Sequence, residues 1–217
     1  MNRLRFRFRG EWIAQAIVES VFVVVSILLA LAVDEWRENR SYEELADQSL
    51  GIFEREIRLN QARLEDAVPF HTGIRDLLGQ AVDNAAATLD LRGIMEGVET
   101  PVILNTAWET ALATGALTHM DVEMVSALSL TYSIQDRFAV GSGRDRPRLS
   151  ERDGLPERVW REQLREAYDY MTATTRGETE LLTVYDQALA LIRQRRAERG
   201  DTATPDTAVS PRDRAHP

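Results

Sequence analysis

The residues that could do chemistry in this chain are few, and their spacing works against them. There are three histidines, His71, His119 and His216, and no cysteine. A di-iron site inside a helical bundle needs Glu-x-x-His pairs on two helices. Val68 and Ala116 stand three positions before His71 and His119, so neither pair exists. His119-x-Asp121-x-Glu123 offers suitable donors for a cation, but residues two apart on a helix point about 200° away from each other. Asp121 reads better as a helix cap. There is no Gly-x-Ser-x-Gly elbow, phosphate-binding loop or dinucleotide fingerprint. Gly141-Ser142-Gly143 runs into arginines and Pro147 instead.

Carboxylate pairs such as Glu54 with Glu56, or Glu109 with Asp121, are commonplace among 35 acidic residues. Many acids have an arginine four positions away, as Glu54 has Arg58, and read as solvated helix faces. The expectation is therefore no catalytic, cofactor-binding or metal-ligating set. Trp108, Glu109 and His119 remain as a candidate functional surface.

The elements that must position these residues begin with a long apolar run, Ile13 to Val33. Spanning a hydrocarbon core of about 30 Å takes roughly 20 helical residues. Trp12 and Trp36 flank the run, about 36 Å apart on a continuous helix, and suit the two interfacial belts. Arg3, Arg5, Arg7 and Arg9 precede it, whereas Asp34, Glu35 and Glu38 follow. That asymmetry predicts a cytoplasmic N-terminus, with the four arginines against anionic headgroups.

The expected layout is a cytoplasmic basic segment (1–12), a transmembrane helix (13–35), a periplasmic helical domain (36–199) and a disordered tail (200–217), in a bacterial inner membrane. The competing reading is a secretory signal cut after Ala32, since Ala30-Leu31-Ala32 is a small-x-small site. Glu19 is a carboxylate inside the apolar run and a candidate for pairing with another membrane helix. The alternative for Glu19 is snorkelling among the headgroups.

Beyond the run the pattern is helical throughout. Leu45, Leu50, Phe53, Ile57 and Leu64 predict a stalk helix that Pro69 ends or kinks. A second helix, about 70–89, carries Ile74, Leu77, Leu78, Ala81, Val82 and Ala85. Leu91 to Leu104 reads as a loop. Asn105 or Thr106 caps a short helix closed by Gly115. Asp121 caps another that runs to about Val140, with Val122, Val125, Leu128, Leu130, Tyr132 and Phe138 as its core face.

The last helix, Glu157 to Arg199, has a heptad seam: Trp160, Leu164, Ala167, Met171, Thr174, Glu178, Leu181, Tyr185, Ala188 and Ile192. Such a seam predicts antiparallel packing on the stalk helix, with pairing between chains as the alternative. The fold class is all-α: a transmembrane helix, then a helical bundle with long first and last helices. All 26 basic residues are arginine. After Val33 there are 22 of them against 33 acids, a balance of −11 that disfavours nucleic acid and anionic surfaces.

The stretch from Glu19 to Glu38 resembles the N-terminal signature of an uncharacterised family of small bacterial single-pass membrane proteins, a domain of unknown function. Glu19, Ile27, Leu28, Ala30, Leu31, Trp36 and Glu38 carry the resemblance; Ser26 stands where the family has Gly, and Ala32 where it has Gln. Asn105 to Glu109, followed by Thr114-Gly115-Ala116-Leu117, is similar to the family's later motif. The resemblance implies a retained anchor and no assigned activity. The function expected is a non-enzymatic, membrane-anchored module that binds a protein partner or itself. The alternative is a periplasmic enzyme or ligand-binding module with a pocket inside the bundle.

Overall fold

The computed structural model describes residues 9–84, 89–144 and 146–198, and the side chains among them except those of residues 9–18, 143 and 144. Trp12 and the arginines at 3, 5, 7 and 9 thus have no described side chain, and the proposed tail (200–217) and Ala85 lie outside the described residues. Those residues form an all-α fold: α1 (Arg9–Asp83), α2 (Leu91–Glu96), α3 (Thr106–Thr114), a 3₁₀ turn (Ala116–His119), α4 (Val122–Arg144) and α5 (Glu157–Glu198). The first and last helices are the long ones, with 75 and 42 residues. Two compact units divide the chain, Met1–Gln48 and Ser49–Pro217.

In the first unit, large apolar side chains from Val21 to Val33 are 49–73 % exposed and point to every side of the helix. Ser26 donates to the Phe22 carbonyl at 2.8 Å, which satisfies its hydroxyl within the helix. Trp36 is 62 % exposed, with the Arg40 guanidinium 5.9 Å from its ring centre. Among the described residues, no helix is long and apolar enough to cross a membrane. The exposed apolar side chains from Val21 to Val33 extend over about 20 Å of helix.

The second unit is built on three helices. Contacts between α1 and α5 run Glu54–Arg196, Gln61–Asp186, His71–Glu178 and Gly79–Tyr168. Numbers rise along α1 as they fall along α5, so the two are antiparallel over about 40 Å. All ten residues of the α5 heptad seam are buried. Opposite them lie Leu50, Phe53, Ile57, Leu64 and Leu78 of α1, each at most 4 % exposed. Helix α4 also runs antiparallel to α5, through Arg195–Glu123, Tyr185–Gln135, Arg137–Glu180 and Tyr170–Ser142. At one end, Leu91, Met95 and Val98 from α2 and its exit pack on Leu78, Ala81, Trp160, Leu164 and Met171.

Four local expectations are corrected. Pro69 does not end the helix: α1 continues to Asp83. The lost amide bond costs about 3 kcal/mol in isolation, but Leu64, His71 and Leu78 are buried on either side and hold the helix. The stretch from Leu91 includes a six-residue helix, capped by Asp90 accepting from the Gly93 amide at 2.9 Å. Helix α4 runs through Gly141 to Arg144. Val122 and Leu130 are 82 % and 55 % exposed; the buried face of α4 is Met124, Leu128, Thr131, Tyr132, Ile134, Gln135, Phe138 and Ser142. Two expected caps hold their places: Asp121 accepts from the Met124 amide at 2.9 Å, and Gly115 closes α3 at φ 72°.

Candidate functional site

The interior of the second unit is polar where the three helices meet. Glu56 is 7 % exposed, and one of its oxygens accepts from the Tyr132 hydroxyl at 2.7 Å. The other accepts from the Ala107 amide at 2.9 Å and from the Thr106 hydroxyl. Asn105, the N-cap of α3, makes no side-chain cap bond. A carboxylate from α1 thus caps α3 from outside, meeting the Ala107 amide of its first turn with the sign the helix dipole favours.

One turn further along, Asn60 is fully buried and pairs with both backbone groups of Leu104, donating to the carbonyl at 2.8 Å and accepting from the amide at 2.9 Å. Gln135 also donates to the Leu104 carbonyl, at 2.7 Å, and accepts from the Tyr185 hydroxyl at 2.7 Å. The network ties the segment ahead of α3 to α1, α4 and α5 together. Burial pushes the Tyr132 phenol well above its ordinary range, and the Glu56 hydrogen bond and charge push the same way. Tyr185 is raised mainly by burial as well. Both hydroxyls are therefore fixed donors at physiological pH.

A second polar pair lies deeper. His71 Nδ1 is 2.5 Å from Glu178 Oε1, and the side chains are 1 % and 0 % exposed. A proton lies between the two atoms at that distance. The other carboxylate oxygen, Oε2 of Glu178, is buried without a hydrogen-bond partner in the described structure.

Above the Glu56 network the surface is concave. A half-open cleft of about 400 Å³ is lined by Ile103, Asn105, Trp108, Glu109, Ser129, Tyr132, Ser133, Gln135, Asp136 and Ala139. Ser129, Tyr132, Ser133 and Asp136 follow the i, i+3, i+4, i+7 spacing of one α4 face. Trp108 stacks on Tyr132 with ring centres 5.6 Å apart and 22° between planes. Phe53 meets Tyr132 edge-on at 5.7 Å. A smaller, mainly apolar notch of about 190 Å³ lies between α4 and α5 near Phe138, Tyr170 and Gly177.

The structure brings Trp108 and Glu109 together in the cleft; His119 lies on the 3₁₀ turn and does not line it. Glu19 is exposed on α1 in the first unit. Among the described residues no group of three or more His, Asp or Glu could hold a metal ion. Sequence reasoning missed Glu56, Asn60, His71 and Gln135. The signal was present: Glu56 and Asn60 fill turns of the stripe formed by Phe53, Ile57 and Leu64, and His71 falls one heptad past Leu64. The resemblance to the single-pass family rests on the quoted residues, because no protein-family model matches the chain, and comparison with curated proteins and with solved structures finds no match.

Proposed function

We propose that this protein is a single-pass membrane-anchored helical module, N-terminus in the cytoplasm, whose extracytoplasmic domain is a non-enzymatic interaction or scaffold unit. The observation that carries the reading is the run of large apolar side chains from Val21 to Val33, exposed on all sides of α1. A helix at an aqueous surface carries one apolar stripe; one that is apolar all round needs an apolar surrounding. With the sequence back to Ile13 the run reaches 21 residues, about 31 Å. The arginines on one flank and acids on the other orient it, and the resemblance of Glu19 to Glu38 to the single-pass family points the same way.

The partner we favour is a second copy. On α1 of the second unit, Ile52, Leu59, Phe70 and Leu77 are 36–51 % exposed. Their spacings of 7, 11 and 7 keep them within about 20° of one line along the helix. Two chains anchored through the same segment meet parallel and in register, as a heptad–hendecad stripe requires. Glu19 sits where a paired anchor helix could satisfy it.

Topology is tested with single cysteines in this cysteine-free chain. In intact spheroplasts a membrane-impermeant maleimide should label Glu162→Cys, and Arg3→Cys only after permeabilisation. Both variants should stay in the carbonate-washed membrane pellet. Release into the soluble fraction, or the reverse labelling pattern, overturns the anchor.

A further inference from the structure

The cleft above the Glu56 network combines an aromatic wall with unneutralised carboxylate, and we propose that it binds a small organic cation carrying an ammonium group. This does not depend on the membrane anchor.

Glu109 and Asp136 both line the cleft, and none of its ten lining residues is basic. Several acids outside the cleft are matched by arginine, as Glu54 is by Arg58 and Arg196, Glu123 by Arg195 and Glu180 by Arg137. Glu109 and Asp136 have no ion-pair partner among the described residues. Glu109 is held by a neutral donor, Asn105 Nδ2 at 3.0 Å, which positions the carboxylate and leaves its charge intact.

Trp108 is the best aromatic surface for a cation, which is attracted to the ring face within about 6 Å. Tyr132 stacks beside it, with its hydroxyl bound to Glu56.

The amides of the lining are already committed. The amide of Gln135 already donates to Leu104 and accepts from Tyr185, and Asn105 donates to Glu109. The polar groups left are the two carboxylates, the Ser129 and Ser133 hydroxyls and the Trp108 indole N–H, and the only full charges among them are negative. Tyr132 and Gln135, 5 % and 4 % exposed, are fixed before any ligand arrives, which limits the ordering cost of binding.

The experiment is calorimetric titration of the full chain, in a maltoside detergent at constant ionic strength, with choline and with its uncharged isostere 3,3-dimethyl-1-butanol. Choline should bind saturably, with a dissociation constant near or below about 1 mM, and the isostere at least about tenfold more weakly. Trp108→Leu should weaken choline roughly tenfold or more. The surface double variant Glu109→Gln/Asp136→Asn should weaken it several-fold; it also keeps the test intact if Trp108→Leu does not fold. Absence of saturable choline heat overturns the proposal. So does equal binding of the isostere, or choline binding unchanged in the double variant.

Discussion

Replacing His71 by leucine tests whether the buried His71–Glu178 pair organises the α1–α5 seam. Its 2.5 Å contact is inaccessible to water on both sides, and Glu178 Oε2 already lacks a partner. In H71L the carboxylate is left buried with nothing to bond to. Removing one member of such a pair costs about 3–5 kcal/mol. Replacing both, in H71L/E178L, removes the buried polar groups and should be near neutral or stabilising by about 1–4 kcal/mol.

The assay is urea unfolding followed by tryptophan fluorescence in a Trp12→Phe/Trp36→Phe background, so that the signal comes from Trp108 and Trp160 of the second unit. With a slope of about 2 kcal/mol per molar urea, H71L should lower the midpoint by about 1.5–2.5 M. The double variant should recover most of that loss. A shift below about 0.5 M for H71L, or strict additivity in the cycle, would refute the reasoning.

Three further predictions follow the same logic. Tyr132 and Tyr185 titrate well above their ordinary value near 10 in the folded protein. The unfolded chain therefore releases these protons first, and stability that is whole below pH 10 falls above it by about 1.4 kcal/mol per pH unit for each tyrosine. Alkaline unfolding curves of Tyr132→Phe/Tyr185→Phe should lose that slope; an unchanged slope counts against the buried network. Glu56→Ala removes the acceptor of Thr106, Ala107 and Tyr132. It should cost about 3–5 kcal/mol and speed hydrogen exchange at the Ala107 amide, whereas unchanged exchange there would remove Glu56 as the cap of α3. Gly115→Ala forces a side chain into φ 72° and should cost about 1–2 kcal/mol by thermal melting.

Where the apolar period is local and long, as in α5, sequence alone located the seam residue by residue. The misjudged positions are those where tertiary packing decides. Pro69 reads as a breaker until the packing on both sides of it is known. Val122 and Leu130 fit a helical stripe, yet the α4 face is rotated to bring Tyr132 and Gln135 inward, because Glu56, Asn60 and Tyr185 wait there to bond them. The candidate site was half legible. Trp108 and Glu109 were on the candidate surface and His119 was not part of the cleft, whose α4 wall faces an α3 fixed in place by partners 44 and 51 residues away. The stripe marks Glu56 and Asn60 as facing inward, but nothing local names the partners they bond.

The interaction role stands or falls on whether the α1 stripe pairs with itself. In native membranes, mild oxidation of single-cysteine variants at Leu59 and at Phe70 reports symmetric contact, with Arg165→Cys on the exposed face of α5 as the reference. The account predicts disulfide-linked dimers at 59 and 70 and none at 165. Monomers at all three positions, or equal dimer at 165, would contradict it.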